Sequence, residues 1–155
     1  MSLKNQWLLN FAMIVFSWLS LSFFGWHNIK KFLPATLLVL CLEAFNVQIG
    51  KKRRWWPFYN KPKSYVTGEL PFNVGPFFAF SMWVLKWSYG NFKQFLLLNA
   101  ISHAFFAFIL MSLMKKLKVI KLVRINNVQF FFYFFYKAFF LYGFQYMIEN
   151  KKKFT

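Results

Sequence analysis

Aspartate is absent from this 155-residue chain, and three glutamates are its only acids. No HExxH pair, glycine-rich phosphate loop or serine elbow occurs either, so the common signatures of metal-assisted, phosphoryl-transfer and acyl-transfer catalysis are missing. A single cysteine, Cys41, stands inside an apolar run. It permits no intrachain disulfide and no cysteine-based metal site, and it leaves the redox compartment unreadable. The two histidines, His27 and His103, lie far apart in sequence and make a poor ligand set for zinc. No metal or cofactor is expected.

What the chain has in excess is apolar surface. Hydrophobic residues make up 59%, with 25 phenylalanines, more than a core of this size hides. A soluble helical bundle distributes charge along every helix, whereas here the charges are gathered into short clusters between apolar runs of membrane-spanning length. The expected fold class is therefore all-α, an integral membrane bundle of about five transmembrane helices in a single domain. The wealth of Phe and Lys without Asp also fits a biased codon supply, so the aromatic count is not read as function.

Twenty Lys and Arg against three acids give a formal charge of +17. In a soluble protein that excess points to nucleic acid. Here the basic residues flank apolar runs, and topology signals and attraction to anionic headgroups explain them better. The expected partners are the lipid bilayer and anionic phospholipid, with other membrane proteins or a second copy of the chain as further candidates, and no nucleic acid.

Five runs are predicted to span, at residues 7–24, 32–49, 70–85, 94–114 and 128–148. The first has the basic start of a signal peptide but is too long for a usual signal core, so a retained helix is expected. The second carries Pro34 in its expected first turn, where proline is tolerated. The third holds Pro71, Gly75 and Pro76 and is predicted to begin near Pro76, to kink, or to re-enter under the shelter of neighbouring helices. Between the second and third runs, Trp55, Trp56, Phe58 and Tyr59 are placed at headgroup depth. With five spans, Lys4 and the two large basic loops bring twelve basic residues to one side, against seven on the other. The positive-inside rule then sets the amino terminus in the cytoplasm and the carboxyl terminus outside a plasma membrane.

Ionisable residues inside spans are costly and mark candidate sites. Glu43, His103 and Lys137 qualify. At a rise of 1.5 Å per residue, Glu43 and Lys137 lie roughly 9 and 14 Å from the cytoplasmic ends of their helices, close enough for the lysine stem to bring the heads together. Asn99 shares a face with His103, and Asn46 with Glu43. Tyr133, Lys137, Leu141 and Gln145 form a stripe on the fifth run. Such stripes join helices by hydrogen bonds, or line a pocket or proton relay. Lys51, Lys52, Arg53, Arg54, Lys61 and Lys63 are candidate contacts to anionic lipid, at about 1 kcal/mol per basic residue near the surface. The same charges serve equally to fix topology. Glu69, beside a proline-containing entry, reads as a charge balancing the basic loop or as an acid acting on lipid.

The stretch KKRRWWPFYNKPKSYVTGELPFNVGPF, which begins at Lys51, and the aromatic QFFFYFFYKAFFLYGFQY of the fifth run resemble an uncharacterised family of small multi-pass membrane proteins from endospore-forming Gram-positive bacteria. The resemblance implies a plasma-membrane protein linked to sporulation and supplies no catalytic residues. Three functions are weighed: a non-enzymatic accessory or subunit of a membrane assembly; a transporter or channel component with an intramembrane polar site; and a membrane-embedded enzyme acting on lipid.

Overall fold

A computed structural model describes residues 3–57, 59 and 69–153, and these are helical with no β-strand. Lys61, Lys63 and Phe58 lie outside the described residues. The helices form five rods in chain order: α1 (Leu3–Ser22), α2 (Trp26–Lys52), α3 (residues 69–88), α4 (Phe92–Lys116) and α5 (Asn127–Lys153).

Local sequence explains where they start and stop. Gly25, at φ 91°, turns the chain between α1 and α2, a conformation that glycine adopts without penalty. Asn91 caps α4, its Oδ1 accepting from Gln94 N at 3.1 Å. Asn126 and Gln129 close a reciprocal capping box on α5, with bonds of 2.8 and 3.0 Å. At the other ends of α2 and α4 the chain stops in the same way. Trp55 N bonds to Gly50 O and Arg54 N to Lys51 O; Val119 N bonds to Met114 O and Lys118 N to Lys115 O. Each is a Schellman pair, with Arg54 (φ 54°) and Lys118 (φ 53°) in the left-handed position where glycine is the usual occupant.

Two elements differ from expectation. Helix α2 begins at Trp26, so Pro34 lies inside it rather than in its first turn, and costs it one backbone bond. Rod α3 runs without a break from Glu69 to Ser88, neither starting at Pro76 nor interrupted by it. Residues Asn73–Phe77 form a π-helical turn, whose wider ring relieves the clash that Pro76 would bring to a regular α-helical turn. A second π segment, Phe105–Leu110, lies within α4.

Packing follows an up-and-down order. Helix α2 lies against α5 and α3, α1 against α3, and α4 against both α3 and α5. At one end Lys86 Nζ donates to Phe24 O at 3.0 Å and Gln145 Nε2 to Lys31 O at 3.2 Å. At the opposite end the two basic loops are stitched together by Tyr59 N to Val119 O, Lys121 N to Pro57 O and Val123 N to Trp55 O, an antiparallel register.

Large apolar side chains cover the outer faces as well as the core, and a few polar groups are enclosed among the core residues. Phe23 and Phe16 are 82% and 71% exposed, while Glu43 and Lys137 are each 2% exposed. Two helices, α2 and α4, are long and apolar enough to cross a membrane. Helices α1 and α5 carry more Trp, Tyr, Asn and Gln.

Candidate functional site

The polar stripe of α5 faces inward. Lys137, Leu141 and Gln145 are buried along it, because residues four apart share a helical face. Across from it, α2 buries Val39, Glu43 and Val47 at the same spacing. The two faces meet at an ion pair between Lys137 Nζ and Glu43 Oε2. Tyr133 Oη supports the carboxylate, donating from 3.2 and 3.3 Å to its two oxygens. The ammonium sits 3.4 Å from the centroid of the Tyr133 ring and 4.4 Å from that of Phe134, whose negative faces add to the stabilisation. One turn along, Asn46 Nδ2 donates to Tyr136 Oη. Asn46 therefore joins the helices as such stripes commonly do.

On the far side of Lys137, α4 contributes Asn99 and His103. The Asn99 amide turns back to Phe95 O of its own helix at 2.8 Å and so makes no interhelical bond through that group. Both residues nevertheless line a cavity of about 10 Å³ shared with Ser81 and Lys137. That is about the room that one water requires, and the walls supply the polar partners a water needs. His103 is buried and its Nδ1 has no hydrogen-bond partner among the described residues. The structure thus brings Glu43, Lys137, His103 and Asn99 into one seam.

A second cavity, of about 60 Å³, lies toward the basic loops, with Asn10, Glu43, Glu69 and Asn73 in its walls. Glu69 is buried rather than exposed. Its carboxylate meets Lys51 Nζ at 3.2 Å and accepts from Trp56 Nε1 at 3.2 Å. Burial pushes this carboxyl above the usual range, while the Lys51 ammonium pulls it back. The glutamate does balance a basic residue of the loop, but from inside the bundle. Two of the chain's three acids thereby face one cavity, each held by its own lysine.

The lipid-contact candidates divide accordingly. Lys52, Arg53 and Arg54 are exposed, whereas Lys51 is turned to Glu69. Trp56 also turns inward, against Phe130 and Tyr133, instead of facing outward from the loop. Sequence reasoning missed Asn10, Asn73, Ser81 and Tyr136. For Asn10 a signal existed: Gln6 and Asn10 are four apart, and both are buried. Among the described residues no group of acids, histidines and cysteine is arranged to hold a metal ion.

No family model, curated protein or solved structure matches this chain.

Proposed function

We propose that this chain is a five-span plasma-membrane protein, amino terminus cytoplasmic and carboxyl terminus outside, that acts non-enzymatically as an accessory or subunit of a membrane assembly. The observation that carries the reading is the apolar outer surface: phenylalanines and leucines cover the outer faces as well as the core, which encloses an ion pair. In water such an outer surface aggregates; in lipid it is the solvated face. The stitched basic loops support the orientation, since they gather the larger share of positive charge at one end. The resemblance to an uncharacterised family of small multi-pass membrane proteins of endospore-forming Gram-positive bacteria supports the same cellular setting, with a link to sporulation as its implication.

Single cysteines at the amino terminus, in each loop and in the tail, in a Cys41→Ser background, test the topology by labelling intact cells. Labelling of the tail from outside, with the amino terminus and both basic loops protected, is the expected result. Tail and amino terminus protected together would overturn five spans.

A second reading rests on the seam itself. The ion pair, the cavity beside His103 and the cavity beside Glu69 form a row of polar groups through an apolar interior, the arrangement that a proton-conducting membrane protein uses. Proton flux in liposomes that is lost on Lys137→Met would favour it over the accessory role.

A further inference from the structure

Between α1, α3 and α4 lies an apolar crevice of about 560 Å³, within the size range of small-molecule sites. Met13 of α1, Pro76 and Phe80 of α3, and Ile101, Leu110 and Met114 of α4 stand in its walls. Both π segments border it, Pro76 and Phe77 from one and Phe105, Phe106 and Leu110 from the other. Wide turns of this kind push backbone out of line and recur at functional sites. The crevice follows α4 from Ile101 to Met114, about 20 Å at 1.5 Å per residue, or two-thirds of a hydrocarbon core of roughly 30 Å. Its outer rim, at Ile101 and Phe105, is exposed.

The two ends differ in charge. Met114, in the wall, accepts the Schellman bond from Val119, which in turn accepts from Tyr59 across the stitched loops. The crevice therefore reaches the surface that carries Lys115, Lys116, Lys118 and Lys121, all exposed, together with Arg53 and Arg54 from the other loop. An occupant suited to both ends has a long apolar chain and an anionic head.

We propose that the crevice holds one acyl chain of an anionic phospholipid, whose phosphate rests on the stitched basic loops. This rests on the membrane reading and adds to it a defined site, distinct from the lipid that surrounds the bundle. The apolar walls replace chain–chain contacts, and the basic surface selects the head, at a factor of about five for each cation near the phosphate.

The experiment uses the full chain in nanodiscs that contain phosphatidylglycerol with a photoactivatable group in its acyl tail, adducts being mapped by mass spectrometry. Adducts concentrated on residues 72–80 and 101–114 are expected, with those on α2 at background. Ile101→Trp, at the exposed rim where bulk is tolerated, should lower the crevice adducts about fivefold, and Leu110→Trp should do so from within. Lys115→Gln with Lys118→Gln should lower the preference over phosphatidylcholine by a factor of about 25. Adducts spread evenly over all outer faces, adducts unchanged by both tryptophans, or equal labelling by the two lipids would overturn the proposal. A chain that fails to float with vesicles at all would instead overturn the membrane reading beneath it.

Discussion

The balance at Glu43 and Lys137 is set by desolvation. Two charges at 2% exposure gain from each other and from the Tyr133 hydroxyl, yet each alone would be left without a counter-charge. Removing one partner of a buried pair costs about 3–5 kcal/mol, whereas replacing both with apolar groups is often neutral. Glu43→Gln should therefore lower the thermal midpoint in detergent markedly, and Glu43→Leu with Lys137→Met should recover most of the loss. An unchanged midpoint in the single variant would count against the pair. Gly50 presents a different constraint. A Cβ there would meet the Trp56 ring at 2.5 Å, and that ring is buried and bonded to Glu69. Gly50→Ala should cost about 1–3 kcal/mol by overpacking, read from the same melting curve. The ion pair was legible in the sequence, since depth and helical phase place both residues. The burial of Glu69 was not: it follows from Trp56 and Lys51 folding back from a loop, a tertiary arrangement without periodicity.

Among the elements, the helix stops carry the clearest signature. Arg54 and Lys118 occupy the left-handed position at some cost, about 1–2 kcal/mol relative to glycine. Lys118→Gly should accordingly raise the midpoint by an amount equivalent to about 1 kcal/mol, and a lower midpoint would mean that the lysine stem packs. The Asn-x-x-Gln pairs that begin α4 and α5 stand plainly in the sequence. The course of α3 does not, because proline and glycine spell a break in an isolated helix, and only the π turn together with close packing on α1 permits continuity. At Gly75 a Cβ would come within 3.2 Å of Ile14 Cα, so α1 and α3 approach there through backbone. Gly75→Leu should separate the two, and disulfide trapping between cysteines placed at Met13 and Val74 should fall with it.

For the whole molecule, composition announced an all-helical chain with too much apolar surface to bury, and the rods fall close to the runs read from hydropathy. The gathering of the basic loops into one surface needed three dimensions, because their contact spans some sixty residues and rests on backbone groups that any sequence possesses. Vesicle flotation tests the molecule at this scale: the chain should rise with lipid and resist alkaline extraction.

The stitching of the loops also has a bearing on biogenesis. Residues 55–59 leave the ribosome well before 119–123, so their share of the three bonds waits until α4 has returned the chain to the same side. A chain halted after α3 would present Trp55, Pro57 and Tyr59 with these backbone partners missing, an unpaired edge. Closure of the pair would then mark the completion of the bundle.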